Sequence, residues 1–155
     1  MSTGARPDAL VVRAARLDDL PAIAAIDAVG RPQARPLTLF AAALKRLLVI
    51  EADTLLGFAE LQVLFEDAEL IDVAVAPAAR RQGLGRRLLD AVVVRAAAAG
   101  ATRLLLEVRR DNTPARMLYE SAGFAVCGER LRYYADGHDA VLYERSLSGG
   151  SSSGD

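Results

Sequence analysis

Apolar positions recur along this chain with two periods, one near helical spacing and one alternating, and these separate its helices from its strands. Leu10 to Ala14 reads as a first strand. Leu17 to Ala28 reads as a helix, with Leu20, Ile23, Ala24 and Asp27 on one face and Asp18 and Asp19 near its positive end. Gly30-Arg31-Pro32 breaks it, Pro36 marks a second interruption, and Leu37 to Arg46 can form a short second helix. Leu47 to Ala52 and Leu55 to Phe65 read as strands joined at Asp53-Thr54, and Glu66-Asp67 turns the chain into a strand over Glu69 to Val75. Gly85 to Ala99 is the clearest helix, with Leu84, Leu88, Ala91, Val92 and Ala99 at helical spacing and Gly100 as its C′ residue.

Leu104 to Val108 is short and nearly all apolar, as expected of a strand buried on both faces. Thr113-Pro114 is a good helix start, Thr as N-cap and Pro at the first position. Ala115, Leu118, Tyr119 and Ala122 form the inner stripe of that helix, and Gly123 ends it. Phe124 to Leu131 and Ala140 to Ser146 then form an antiparallel pair around Asp136-Gly137. Strands and helices in this order fit a mixed α/β fold with helices on both faces of one sheet. Residues 1–9 read as an irregular, frayed terminus and 148–155 as a disordered Gly/Ser-rich tail, leaving 10–147 as one expected domain.

Composition narrows the partners. At 155 residues one domain can bury about two-thirds of its unfolded surface. The formal net charge of −1 gives no global nucleic-acid-binding surface. Cys127 is the only cysteine and His138 the only histidine, so neither an intramolecular disulfide nor a cysteine-based zinc site is expected. No run reaches the roughly 18 apolar residues of a membrane helix, and the start of the chain lacks a secretory layout. A soluble, cytoplasmic protein without metal or membrane partner is the expectation.

Arg80-Arg81-Gln82-Gly83-Leu84-Gly85-Arg86 carries the sharpest chemistry. It follows the apolar run Leu70-Ile71-Asp72-Val73-Ala74-Val75 and opens the long helix. A strand ending in an Arg-x-x-Gly-x-Gly turn at a helix start is suited to hold a pyrophosphate. Its glycines let the backbone curl, and the first amides of the helix point at the anion. Arg80, Arg81 or Arg86 can reach phosphate oxygens or form an ordinary solvated cluster. Cys127 reads as a buried small residue with no nearby activating group, and His138 as exposed in a loop. Glu66, Asp67 and Glu69 could meet a cationic acceptor, although a solvated hairpin tip explains them better.

With these elements in place, the chain is identified as a member of the GNAT acyltransferase superfamily by resemblance over about Val11 to Leu147. The resemblance is strongest between Glu69 and Phe124, and its centre is the Arg80, Gly83, Gly85 turn. Leu106-Glu107-Val108-Arg109, Asn112, Leu118-Tyr119-Glu120-Ser121-Ala122-Gly123-Phe124, Arg132-Tyr133-Tyr134 and Asp136-Gly137-His138-Asp139-Ala140 resemble its RimI-like branch, the ribosomal-protein-alanine N-acetyltransferases. The resemblance implies a single-domain GNAT fold: a mixed, mostly antiparallel sheet of six to seven strands with about four helices on both faces.

It also implies acetyl-CoA as cosubstrate. The pyrophosphate would lie on Arg80, Arg81, Gln82, Gly83, Leu84, Gly85 and Arg86, and the pantetheine arm on the backbone of Val73, Ala74 and Val75. Asn112 is carried over as a further CoA contact; as a plain residue it would simply shape the turn before the helix. Glu107 is implied as the proton acceptor, against a reading as a strand-end carboxylate paired with Arg109 or Arg103. Tyr119, 12 residues on, is implied as the acid that protonates the departing sulfur, against a core tyrosine with its hydroxyl tied off. Both side chains are expected to converge on one cleft. Tyr133 and Tyr134 would line the acceptor groove, or alternate on a half-buried strand.

The implied activity is direct transfer of acetyl to a primary amine, preferably the N-terminal α-amine of a ribosomal protein. One segment departs from the branch. Where the branch carries an aromatic, Pro-Trp-like stretch that shapes acceptor specificity, this chain has Val29 to Pro36 and no tryptophan anywhere. That departure keeps a small-amine acceptor (amino acid, polyamine or antibiotic) as an alternative. A CoA-binding regulatory module without turnover is a third.

Overall fold

The alternation and helical spacing above become, in a computed structural model describing residues 9–147, seven strands and four α-helices. The terminal segments 1–8 and 148–155 lie outside the described residues. The strands are β1 (Val11–Ala14), β2 (Leu47–Glu51), β3 (Leu55–Leu64), β4 (Asp67–Val75), β5 (Arg103–Arg109), β6 (Ala125–Arg130) and β7 (Ala140–Ser146). The helices are α1 (Leu20–Ala28), α2 (Leu37–Ala42), α3 (Leu84–Ala98) and α4 (Thr113–Ser121). The sheet runs β1-β2-β3-β4-β5-β7-β6. β4 and β5 are parallel, whereas β1/β2, β2/β3, β5/β7 and β6/β7 are antiparallel. No helix among the described residues is long and apolar enough to cross a membrane.

Contacts group the chain into two units, one of residues up to Glu60 with Asp72–Ala91, the other of Leu61–Ile71 with residues from Val92 onward. In the first, Leu20, Ile23 and Ile26 of α1 pack with Phe40, Leu47, Val49 and Phe58, and the Phe40 and Phe58 rings meet edge to face at 6.3 Å. The expected 17–28 helix is divided: a 3-10 turn over Leu17–Asp19 precedes α1, because Pro21 suits the first turn of a new helix better than the interior of an old one.

Asp19, the last residue of that turn, is buried and is held by Arg13. The guanidinium reaches Asp19 at 2.8 and 2.9 Å and Glu51 at 2.9 and 3.0 Å. These bonds hold the Asp19 carboxyl below the usual carboxylate range. A carboxyl depressed in the folded chain contributes stability above its unfolded value, about 3.9, and loses that contribution as pH falls further. Asp19→Asn is therefore expected to lower the melting temperature at neutral pH and to flatten its acid dependence below about pH 4. Thermal melts across pH 2 to 7, in steps of about one unit, check both.

In the second unit, Leu104, Leu106 and Val108 of β5 are buried while Leu105 and Glu107 are only half-buried. The strand expected to be covered on both faces thus has one covered face. On that face Tyr143, paired with Leu106, meets the Tyr119 ring of α4 at 6.2 Å, and Tyr119 meets Phe124 at 6.0 Å. Tyr143 is fully buried; its hydroxyl donates to Glu120 at 2.6 Å and accepts from Arg116 at 3.0 Å.

Helix ends follow the sequence with two corrections. Gly100 and Gly123 take positive φ, and paired bonds close both C-termini: Ala101 to Ala96 with Gly100 to Ala97, and Phe124 to Tyr119 with Gly123 to Glu120. Asn112, not Thr113, caps α4, accepting from the Ala115 amide at 3.2 Å; asparagine outranks threonine at that position. Along α3 the buried positions are Leu84, Leu88, Leu89, Val92 and Ala96, while Ala99, expected on the inner stripe, is exposed.

Candidate active site

The first unit carries the turn and the strand that leads into it. β4 ends at Val75, a 3-10 turn spans Pro77–Ala79, and the chain then curls with positive φ at Arg81 (64°) and Gly83 (77°). A left-handed arginine is uncommon and strained, which marks this turn as constrained. Arg80 folds back, its Nε donating to the Val75 carbonyl at 3.1 Å. The Arg87 amide donates to the Gly83 carbonyl at 3.1 Å, so the amides of Leu84, Gly85 and Arg86 lie ahead of this first helical bond. Arg86 pairs with Asp90 at 3.0 Å. A Cβ on Gly83 would meet nothing within 4 Å. The glycine turn is open above its backbone, which suits a diphosphate lying on the amides.

The second unit carries Glu107, Asn112 and Tyr119. Glu107 shares the half-open face of β5 with Arg109, and its Oε2 accepts from Arg130 Nε at 2.7 Å. Its partner is therefore Arg130, neither Arg109 nor Arg103. Arg109 bonds Asp111 and Asp136, and Arg103 pairs with Asp67 and Glu144. The Tyr119 ring lies with Tyr143 and Leu106 on the other face, beneath α4. Carboxylate and tyrosine ring thus flank β5 from opposite sides, a correction to the expectation that both converge on one cleft: alternation along the strand turns Glu107 away from Leu106, whose face the tyrosine ring shares.

Tyr133 and Tyr134 do not alternate on a strand. They sit in the β6–β7 loop, edge to face at 5.2 Å, with Arg130 over Tyr133 at 5.5 Å and Arg109 over Tyr134 at 5.0 Å. Burial first, and the nearby charge of Glu107 second, push the Tyr134 phenol above its ordinary value, so it stays a hydrogen-bond donor at neutral pH. Arg109 and His138, both in contact with Asp111 and Asp136, tie this loop to the end of β5.

A model of the acetyltransferase (GNAT) family matches residues 15–124. The chain belongs to the GNAT family. The [ribosomal protein bS18]-alanine N-acetyltransferase of Haemophilus ducreyi is 42% identical over 84 residues, 54% of this chain and 58% of that relative, so the match spans little more than half of the relative's length. The crystal structure of the Escherichia coli ribosomal-protein-S18-alanine N-acetyltransferase superposes with a TM-score of 0.78 at 32% identity, covering 94% of this chain and 97% of that one. The Salmonella typhimurium protein yncA, solved with acetyl-CoA, shares the fold with a TM-score of 0.77 at 21% identity, over 93% and 97% of the two chains.

As a GNAT chain, this one holds several side chains differently from what the sequence suggests. Cys127 is exposed rather than buried, because it occupies the irregularity where β6 shifts register between Val126 and Gly128. Partial desolvation and the neighbouring Glu144 keep its thiol above the ordinary value, which leaves it a poor nucleophile. Asp67 is the first residue of β4 and pairs with Arg103, while Glu66 stays in the exposed turn. His138 is exposed, as expected. A surface cavity of about 470 Å³ lies at the start of β5, among Asp67, Arg103, Glu144 and Arg145, and none of the residues expected to hold acetyl-CoA or move a proton lines it.

Proposed function

We propose that residues 10–147 form an acetyl-CoA-dependent N-acetyltransferase domain whose acceptor is the N-terminal α-amine of a protein, a ribosomal protein beginning with alanine. The similarity to the E. coli ribosomal-protein-S18-alanine N-acetyltransferase over almost the full length of both chains carries this reading. The yncA structure supports acetyl-CoA as cosubstrate through the shared fold, and the open glycine turn at Gly83 fits its diphosphate.

Acetyl-CoA supplies an activated acyl group on a thiol leaving group. The amides of Leu84, Gly85 and Arg86 take the diphosphate, with Arg80, Arg81 and Gln82 completing the turn. Backbone donors of Val73–Val75 polarise the thioester carbonyl. Glu107 accepts the proton that the acceptor ammonium must lose, directly or through a water; at an ordinary α-amine pKa near 7.7–8.0 this is a modest task. As the N–C bond forms and the C–S bond breaks, the Tyr119 hydroxyl gives its proton to sulfur, and the acylated nitrogen sheds its second proton, which restores the phenol directly or through water. Asn112 acts on its helix first, through the cap, and on CoA second.

Incubation with acetyl-CoA and a peptide beginning with alanine, read by mass spectrometry, tests the reading. Acetylation on the α-amine is expected. Turnover confined to free amino acids, polyamines or antibiotics would assign a small-amine acceptor instead, and tight CoA binding with no thiol release from any amine would make the chain a binding module.

A further inference from the structure

The segment between α1 and α2, Val29 to Pro36, has no regular structure, yet it is held by a charge network around Asp27, one of two buried carboxylates among the described residues. Asp27, on α1, has a side chain only 3% exposed. It accepts from Arg31 Nε at 2.9 Å and from both Arg35 Nε, at 2.9 Å, and Arg35 Nη2. Burial alone would raise the Asp27 carboxyl, but these two arginines bring it below its ordinary value, so it stays charged. The same guanidinium groups continue to β4: Arg35 Nη2 reaches Asp72 at 2.9 Å and Arg31 Nη2 reaches it at 3.4 Å. Arg35 also lies 5.1 Å over the Phe40 ring of α2.

Four charges arranged this way are a costly means of gaining stability, because each must be desolvated. What they deliver is geometry. A forked guanidinium binding two carboxylates fixes both position and angle, and Arg35 spans Asp27 on α1 and Asp72 on β4. Asp72 is the residue immediately before Val73–Val75, the stretch assigned above to the thioester. The segment between the first two helices is therefore pinned to the strand at the entrance of its thioester-bearing stretch.

We infer that Arg35, with Asp27, Arg31 and Asp72, is the acceptor-positioning device of this chain: an ionic clamp that sets the 29–36 segment beside the strand stretch assigned to the thioester. The inference rests on the acetyltransferase reading above. Arg35 is a positioning residue; it acts through the segment it holds.

Steady-state kinetics of the full chain with acetyl-CoA and an alanine-started peptide tests it, on Arg35→Ala, Arg35→Lys and Asp72→Asn. Arg35→Ala is expected to raise the peptide KM roughly 10- to 100-fold, with the acetyl-CoA KM held within about twofold. Lysine brings a point charge without the fork and so restores only part of the loss. Asp72→Asn, which keeps size and an acceptor oxygen, is expected to raise the peptide KM in the same direction and by less; it carries the test should Arg35→Ala fail to fold. An unchanged peptide KM in the folded variants overturns the clamp. So does a parallel rise in both KM values that follows the melting temperature and is fully rescued by lysine. If wild-type chain acetylates no peptide at all, the acceptor reading falls first and the clamp with it.

Discussion

Glu107→Gln is expected to lower kcat on a peptide acceptor by roughly 10²- to 10⁴-fold near neutral pH, the usual worth of a positioned general base. Glutamine keeps the size of the side chain and an oxygen that can still accept from Arg130, now 2.7 Å away. The β5 strand and its covered face of Leu104, Leu106 and Val108 are untouched, so folding and the acetyl-CoA KM should stay close to wild type. The deficit has a pH signature. Below the α-amine pKa of about 8 most acceptor is ammonium and needs a base; above it the amine arrives already neutral. The ratio of wild-type to variant activity should therefore shrink as pH rises from about 6.5 to 9.5. A ratio constant across that range would remove Glu107 from proton transfer and leave it as the partner of Arg130 alone.

Much of the fold can be read from the sequence because local chemistry specifies it. Gly100 and Gly123 end helices because only a left-handed residue closes those bonds. The Leu-Tyr-Glu-Ser-Ala-Gly-Phe stretch has a packing explanation at several of its positions. Tyr119 and Phe124 meet in the core, Glu120 receives the Tyr143 hydroxyl, Ala122 is buried and Gly123 turns the chain. The glycine turn from Arg80 to Arg86 is legible for the same reason: its signal is contiguous.

What sequence reasoning missed is non-local. The Arg130–Glu107 pair joins residues 23 apart across β5, β7 and β6, and a bulge shifts the register that decides which arginine meets the carboxylate. Asp27 read as one more inner-face residue of a helix, and nothing in its spacing showed that two arginines from the following loop would turn toward it and reach Asp72. The buried reading of Cys127 and the strand alternative for Tyr133 and Tyr134 failed similarly, because a bulge and a loop interrupt the strand there. The two positive signals available in advance were the arginines at both ends of the proline-flanked segment and the charged Asp72 inside an apolar run.

Gly57 gave no sequence signal at all, and its replacement is expected to have the largest effect on the acetyl-CoA side. It is buried in β3 opposite Ile50. A Cβ there would sit 2.8 Å from the Ala74 carbonyl oxygen, 3.2 Å from Leu88 Cδ1 and 3.3 Å from Ile50 Cγ2. The side-chain contacts can relax; the carbonyl belongs to the backbone of β4 and moves only if the strand moves. Ala74 is the middle of the stretch assigned to the thioester. Gly57→Val should therefore cost about 1–3 kcal/mol from overpacking, a fall of roughly 2–12 °C in melting temperature for a chain of this size. It should also raise the acetyl-CoA KM by about tenfold or more through misplacement of that backbone, with Gly57→Ala between the two. Gly30 offers the control, since a Cβ there meets nothing within 4 Å: Gly30→Ala should leave the melting temperature and acetyl-CoA KM close to wild type. Thermal melts and acetyl-CoA titrations of the three variants separate strand displacement from the general cost of losing a glycine. A Gly57→Val chain that melts lower yet keeps its acetyl-CoA KM would dissociate Ala74 from cosubstrate binding.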